Sequence, residues 1–158
     1  MYGALFVTFF LTAYVSSVFS ETQVKPCKTA PVVPAVFEIT GCPTPPCTAK
    51  KLTSMHAEIT FTPDQDYEKL YSILEGMVMG VITGFPGVHG NDICGSIYTM
   101  PGKVKSSCPL KAGQEYLYVL DLPIEKHFLK ITVNTRWGAR DKKTKKDVFC
   151  GEIMLKIV

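Results

Sequence analysis

Six cysteines constrain what this chain of 158 residues can fold into more than any other feature; they are Cys27, Cys42, Cys47, Cys94, Cys108 and Cys150. An even number of cysteines in an exported chain of this size is typical of a disulfide framework, here of three bonds. No Cys-x2-Cys pair is present and the three histidines stand far apart, so a zinc site is disfavoured. We therefore expect no metal and no cofactor.

The positions of the cysteines favour one pairing, although six cysteines allow several. Cys42 and Cys47 enclose a proline-stiffened turn whose ends can meet locally. Cys94 and Cys108 bracket a loop that contains Gly, Ser, Pro and Lys. Elimination then leaves the first and last cysteines, which would join the first and last strands.

The first 20 residues predict a secretory signal peptide. An apolar run from Met1 to Tyr14 is followed by small residues up to Ser20, the pattern of a cleaved leader. A membrane anchor is the alternative, but the run is short and no basic flank follows it to stop transfer. We expect a secreted protein with a single mature domain over 21–158, the lysosomal lumen being the alternative destination.

Charge and motifs exclude several classes of function. The chain carries 17 basic and 14 acidic residues, and a net charge of +3 is too small to favour nucleic acid as a partner. It contains no Gly-x-Ser-x-Gly elbow, no His-Glu-x-x-His and no phosphate-binding glycine loop. With the cysteines used in disulfides, a thiol nucleophile is also disfavoured. We expect a binding protein and not an enzyme.

Short strands separated by turns account for most of the mature chain. Apolar residues alternate with polar ones or cluster in brief runs typical of strands at 32–39, 55–61, 67–74, 114–120, 129–137 and 148–157. A helix is the alternative at 67–74, although it lacks capping residues. About seven strands without a convincing helix predict an all-β antiparallel sandwich whose inner faces form the apolar interior.

The stretch from Gly76 to Pro86 is apolar almost throughout, and three glycines and a proline interrupt it. Apolar residues at both parities predict a strand with no wet face. One interpretation is a central strand buried on both sides. The other is a strand that lines an apolar cavity with one face and ends in an exposed mouth at Phe85 and Pro86.

Several short motifs occur in an order that is specific although each is weak alone. With the cysteine frame they are CPTPPC at 42–47, ITFT at 59–62, MGV at 79–81, FP at 85–86, CPL at 108–110, LPI at 122–124 and FCGEI at 149–153. On these residues the chain resembles the myeloid-differentiation-related lipid-recognition (ML domain) family, in its Niemann-Pick type C2 branch. The resemblance covers essentially the whole mature chain.

The resemblance implies an immunoglobulin-like β-sandwich with an apolar tunnel between its sheets and the disulfides Cys27–Cys150, Cys42–Cys47 and Cys94–Cys108. It also implies a sterol as ligand, entering past an aromatic pair at Phe85 and Phe128. Pro86, Ile124 and Val78 complete the expected ligand-binding set, with Ile124 in the wall beside the mouth. We expect both phenylalanines to contribute to binding more than to stability.

The resemblance further implies a docking surface for a Niemann-Pick type C1-like membrane protein. Met79 and Val81 match the family's exposed apolar knob, and we assign Ile82 to the same surface. The basic segment 142–146 is a second candidate contact, with anionic membranes, although such clusters are usually solvated hairpin tips. We expect the protein to be a monomer.

Three departures from the family pattern favour an invertebrate secreted paralogue. The loop between Cys94 and Cys108 is longer than in the vertebrate sterol carrier and could reshape the entrance. No Asn-x-Ser/Thr sequon occurs, so no N-glycan is available for lysosomal sorting. Thr83 and Gly84 replace a Val-Pro pair at the rim.

Three functions remain open from the sequence. The first is carriage of a cholesterol-like sterol to membranes or a membrane transporter. The second is broader carriage of fatty acids or apolar signalling molecules, and the third is innate-immune recognition of microbial lipids. Because an apolar wall selects by volume and shape, the sequence does not name the ligand.

Overall fold

A computed structural model describes residues 21–158, and eleven strands make up almost all of the regular structure of this part. A single 3₁₀ turn spans Cys94–Ser96. The strands are β1 (Lys25–Pro26), β2 (Val36–Ile39), β3 (Cys47–Ala49), β4 (Ser54–Phe61), β5 (Leu70–Val78), β6 (Val81–Gly84), β7 (Ile97–Thr99), β8 (Val104–Lys105), β9 (Tyr116–Pro123), β10 (Thr132–Asp141) and β11 (Asp147–Ile157).

The strands form two sheets that pack as a sandwich. One sheet has the order β1-β11-β10-β5-β6, with β3 added in parallel to β11, and the other has the order β2-β4-β9-β7-β8. All other pairings are antiparallel. Seven strands have four or more residues, namely β2, β4, β5, β6, β9, β10 and β11. The prediction of an all-β antiparallel sandwich is confirmed.

The core lies between the sheets and is built from alternating residues of facing strands. Trp137, Phe61 and Phe149 are fully buried, and the rings of Phe61 and Phe149 stack at 4.1 Å between centroids. Gly151 lies opposite Trp137, and a Cβ at this glycine would be 2.9 Å from the ring of Phe37. The glycine therefore leaves the space that the ring of Phe37 occupies.

The three disulfides join Cys27 to Cys150, Cys42 to Cys47 and Cys94 to Cys108, so the predicted pairing is confirmed. Cys27 follows β1, and its amide donates a hydrogen bond to the carbonyl of Cys150 in β11. The bond between these cysteines thus reinforces the pairing of the first strand with the last one.

The stretch from Gly76 to Pro86 is a hairpin and not a single strand, so both interpretations of the sequence need correction. β5 ends at Val78, Met79 and Gly80 form the turn, and β6 returns antiparallel to β5. Met79 and Gly80 have φ of 51° and 81°, the two left-handed residues of a type I′ turn. Gly80 adopts its positive φ without steric strain, which favours this turn. β6 is the edge strand of its sheet.

Two other expectations from the sequence concern the loop between Cys94 and Cys108 and the predicted signal peptide. The loop between Cys94 and Cys108 forms the hairpin β7–β8, which extends the second sheet beside β9, so it does not cover the mouth at Phe85. The predicted signal peptide, 1–20, lies outside the described residues. Within the described part of the chain, no helix has the length and apolar character needed to cross a bilayer.

A chain of ion pairs crosses the outer face of the first sheet. Arg136 of β10 binds Glu75 of β5 at 2.6 Å and Asp147 of β11 at 2.6 Å, and Arg140 binds the same Asp147 at 2.8 Å. Burial alone would raise the pKa of the Asp147 carboxyl, but hydrogen bonds from Thr29 and Arg140 and the arginine charges hold it below its usual value. Asp147 therefore forms ion pairs with two arginines at once.

Asp147→Asn should lower the free energy of unfolding by about 2 to 3 kcal/mol at pH 7, since it leaves two half-buried arginines short of a counter-charge. Because the folded-state pKa is depressed, the stabilisation is complete above about pH 4, the unfolded value. It is lost as the pH falls through the folded-state pKa. Urea unfolding at pH 7 and pH 3 should therefore give curves that converge in acid.

The matched control is Asp66→Asn, which breaks a solvent-exposed pair with Lys111. We expect a clearly smaller effect at pH 7, because water screens exposed pairs. Equal losses for the two variants would contradict a structural role for the buried network.

Candidate functional site

An apolar cavity of about 300 Å³ opens at the end of the sandwich where the β5–β6 hairpin protrudes. Its walls come from the inner face of the first sheet and from the connection between β9 and β10. The lining residues are Gly76, Val78, Thr83, Gly84, Phe85, Pro86, His127, Phe128, Leu129, Ile131, Val133 and Ile157. Most of these side chains are apolar, so the cavity is suited to a hydrocarbon ligand.

Two aromatic rings meet at the cavity. Phe85, directly after β6, and Phe128, in the β9–β10 connection, pack edge to face with centroids 5.7 Å apart and an interplanar angle of 74°. Phe85 is only 9% exposed and belongs to the core, whereas Phe128 is half-buried. The pair therefore joins a fixed ring to a ring on an exposed connection.

The space beside these rings depends on Gly76. A Cβ at this position would lie 3.0 Å from Val133 Cγ2 and 3.5 Å from the ring of Phe85. Any larger side chain would therefore occupy the cavity. The glycine that interrupts β5 in the sequence is thus part of the cavity wall.

The mouth is braced by His89. Its Nδ1 accepts a hydrogen bond from the amide of Leu74 at 3.2 Å, and its ring covers Gly84, where a Cβ would be 2.6 Å away. The backbone of residues 85–93 continues along β5, with the amide of Phe85 donating to the carbonyl of Leu74. This segment extends the sheet edge beyond β6 and holds Phe85 in place.

Four of the five predicted ligand-binding residues line the cavity together: Val78, Phe85, Pro86 and Phe128. Ile124 does not. It is 1% exposed, and its backbone forms hydrogen bonds with the backbone of Leu52 and Thr53. Ile124 is a core residue at the base of the connection, and the expectation that it forms a wall of the cavity is not met in this structure.

The three predicted docking residues are exposed on the hairpin. Met79 is 97% exposed at the tip, and Val81 and Ile82 are 63% and 56% exposed. Met77, which was not predicted, pairs with Ile82 across the hairpin and is 55% exposed. We call Met77, Met79, Val81 and Ile82 the hairpin patch.

The turn divides this patch between two faces. Val81 is opposite Val78 and therefore lies on the cavity side, while Ile82 is opposite Met77 on the outer side. On an unbroken strand Met77, Met79 and Val81 would share one face, whereas the turn brings Val81 to the face opposite Met77. The outer pair, Met77 and Ile82, is thus the part of the patch separated from the cavity.

Thr83 and Gly84, which the sequence places at the rim, do line the cavity, but six further cavity residues were not identified from the sequence: Gly76, His127, Leu129, Ile131, Val133 and Ile157. Val133 and Ile157 follow the ordinary alternation of inward-facing strand residues. No local sequence signal therefore distinguishes a residue of the cavity wall from a residue of the core. Leu129 is different. It is a large apolar residue next to Lys130 in a polar connection, and this could have marked it as part of a mouth.

The basic segment 142–146 is far from the cavity. It connects β10 to β11, next to the pairing of Asp141 with Leu70 at the start of β5, whereas the cavity lies at the end of β5. Eight residues of strand separate Leu70 from Val78, or about 26 Å. Among residues 21–158, no group of histidine, cysteine or acidic side chains is placed to hold a metal ion.

Comparisons with known proteins agree with this architecture. The family model described as the ML domain matches residues 21–157. NPC intracellular cholesterol transporter 2 of Bos taurus is 27% identical over 148 residues, covering 94% of this chain and 93% of that protein. NPC intracellular cholesterol transporter 2 homolog a of Drosophila melanogaster is 28% identical over 121 residues, covering 75% and 76% of the two chains.

The crystal structure of a Niemann-Pick type C2 protein from Japanese carpenter ant aligns with a TM-score of 0.69 and 21% sequence identity. The alignment covers 86% of this chain and 99% of that one. At this identity the likeness concerns the fold, and it extends over nearly all of the described sandwich.

Proposed function

Because the chain belongs to the ML domain family, we propose that it is a carrier of one apolar lipid molecule, a cholesterol-like sterol, which it delivers to membranes or to a membrane transporter. Residues 1–20 act as a signal peptide, and 21–158 form the single mature domain of a secreted protein. The lysosomal lumen is the alternative destination. The relatives named as cholesterol transporters support a sterol as the ligand.

The observation that carries the proposal is the apolar cavity with its aromatic pair. A ligand that buries about 400 Å² of apolar surface would gain about 10 kcal/mol at 25 cal/mol/Å². Lost translational and rotational freedom reduces this gain, leaving micromolar or tighter binding. Apolar walls around Phe85 and Phe128 are therefore sufficient for carriage without a strong polar contact.

Delivery uses the hairpin patch. Four large apolar side chains are exposed on one short hairpin beside the cavity, and such a cluster gains free energy only when a partner covers it. The proposed partner is a Niemann-Pick type C1-like membrane protein or the membrane itself. Lys126 and Lys130, both exposed, flank Phe128 and Leu129 and would draw this end of the protein towards anionic lipids.

Phe128→Ala tests the cavity directly. It should weaken sterol binding roughly tenfold or more, because the variant loses one ring of the mouth. The melting temperature should change little, since Phe128 is half-buried on a connection. The measurement is titration of the delipidated protein with a fluorescent sterol, together with thermal unfolding and mass spectrometry of lipid extracted from the purified wild type.

Phe85→Ala is the matched comparison. Phe85 is a buried core residue, so this variant should lose binding and also stability, unlike the sequence-based expectation of a binding role alone. Unchanged sterol binding in Phe128→Ala would contradict the proposal that the sterol binds in this cavity. A large loss of stability in that variant would instead make Phe128 a packing residue.

A broader ligand range is the second candidate function. The cavity, at about 300 Å³, is at the lower end of the usual range for ligand pockets. Thr83 and Gly84, in place of a Val-Pro pair, make the backbone of its rim less rigid. Slender fatty acids or apolar signalling molecules would fit such a space. Recognition of microbial lipids is less favoured, because the basic segment 142–146 is at the opposite end from the mouth and could not bind phosphates there.

A further inference from the structure

The hairpin patch contains two methionines whose thioether groups are open to solvent. Met79 is 97% exposed at the tip of the turn, and Met77 is 55% exposed on the outer side of β5. The other methionines of the described chain are less accessible. Met154 is 40% exposed on β11, Met100 is half-buried after β7, and Met55 belongs to the core. Met79 therefore has the most accessible methionine sulfur of the described chain.

Other oxidisable side chains of the described chain are protected. All six cysteines are held in the three disulfides, so the described residues offer no thiol. Trp137, the single tryptophan, is fully buried. Hydrogen peroxide oxidises a thioether by giving it one oxygen atom: the O–O bond breaks, an S–O bond forms, the sulfur loses two electrons and water leaves. We expect this reaction to occur first at Met79.

Oxidation at this position would change the surface of the protein and not its fold. A sulfoxide is polar, and it disrupts interfaces that are built on methionine. At the exposed Met79, water hydrates the new oxygen and no core contact is lost. Docking covers the hairpin patch, so the hydrated oxygen would have to give up its water. The sulfoxide therefore opposes docking.

The same oxidation should leave the cargo in place. Gly76 and Val78 line the apolar cavity, whereas Met77, between them, faces outward and Met79 is at the tip. Neither methionine contributes to the walls of the cavity. Delivery and binding would thus respond differently to a peroxide.

We propose that Met79, followed by Met77, is a methionine oxidation site whose sulfoxide stops delivery while the lipid stays bound. This inference rests on the proposed carrier function. The oxidant is a peroxide, and the reverse step belongs to the methionine sulfoxide reductases. In that step a dithiol becomes a disulfide, the sulfoxide oxygen leaves as water and the thioether is restored. A carrier that meets peroxide therefore keeps its lipid until it is reduced.

The test uses the full mature chain, delipidated and loaded with a fluorescent sterol, before and after treatment with hydrogen peroxide. Peptide mass spectrometry should find the sulfoxide at Met79 before Met154 and Met100. Transfer to vesicles of phosphatidylcholine and phosphatidylserine should then slow about fivefold or more, a loss typical of a residue central to an interface. Sterol affinity in solution should stay within about threefold. Sulfoxide reductases for both epimers should restore the transfer rate.

The variant with Met77→Leu and Met79→Leu separates oxidation from other damage, because Leu keeps the apolar surface and has no sulfur. Leu is compatible with the turn, since Leu52 adopts a φ of 65° in the same chain. This variant should transfer lipid at the wild-type rate with and without peroxide. Met154→Leu is the matched control, since it removes an exposed sulfur outside the hairpin patch, and it should remain as sensitive as the wild type.

The inference would be overturned by earlier oxidation at Met154 or Met100, or by normal transfer from protein that carries the Met79 sulfoxide. Loss of the sterol from the oxidised protein, or equal sensitivity of the double-leucine variant, would overturn it as well. Untreated wild type that bound the sterol but did not transfer it would instead contradict the proposed delivery function, because no peroxide is then involved.

Discussion

Replacing Met79 with Asp and Ile82 with Asn should abolish transfer of bound lipid to a membrane acceptor while changing ligand affinity by less than about threefold. Met79 is at the tip and Ile82 on the outer side of the hairpin, so neither faces the cavity. Docking buries these side chains, and the two substitutions remove that gain. The measurement is sterol transfer from loaded protein to vesicles with and without anionic lipid, beside binding in solution.

The double variant should fold. Met79 has a φ of 51°, a region that Asp adopts more readily than Met, and Ile82 is exposed on an edge strand. Val81 is left unchanged because it lies on the side of Val78. Val104→Asn, an exposed apolar residue on β8 outside the hairpin patch, is the control and should transfer lipid normally. A double variant that lost its ligand would show that the hairpin patch belongs to the binding site.

Removal of the bond between Cys27 and Cys150, with both replaced by Ser, should lower the free energy of unfolding by about 5 kcal/mol. The two cysteines are 123 residues apart, so their bond closes almost the whole mature chain into a loop and removes much of the entropy of the unfolded state. Such a loss is comparable with the total stability of a small domain. Chemical unfolding under non-reducing conditions measures it.

The bond between Cys42 and Cys47 provides the comparison, since it closes a loop of only five residues along the chain. In the same chain-entropy model its removal should cost about 2 kcal/mol. The difference between the two double-serine variants, about 3 kcal/mol, tests the loop-length argument. Equal losses would mean that local packing around each bond decides its contribution.

The sequence was sufficient for the sandwich, the disulfides and most strands, because these depend on alternation and on cysteine spacing. It failed at Gly76–Pro86, where apolar residues on both sides of a turn look like one continuous strand. The usual hairpin signal is Asn-Gly or Asp-Gly, and Met79-Gly80 gives only half of it. An apolar residue at a left-handed turn position is explained by its exposure on the surface and not by turn preference.

The aromatic pair at the mouth was also predicted, but only from the family resemblance. Phe85 and Phe128 are far apart in sequence and no periodicity links them. Ile124 was misplaced because the LPI motif fixes its position in the chain but not the direction of its side chain after β9.

The alternation of faces along the β5–β6 hairpin has a consequence for how such proteins diverge. Gly76 and Val78 face the cavity while Met77, between them, faces outward, and Thr83 and Ile82 repeat this division on the returning strand. Substitutions at one parity can change which cargo is accepted without altering the surface that a recipient recognises. A gene duplicate could thus acquire a new cargo and keep the old route of delivery.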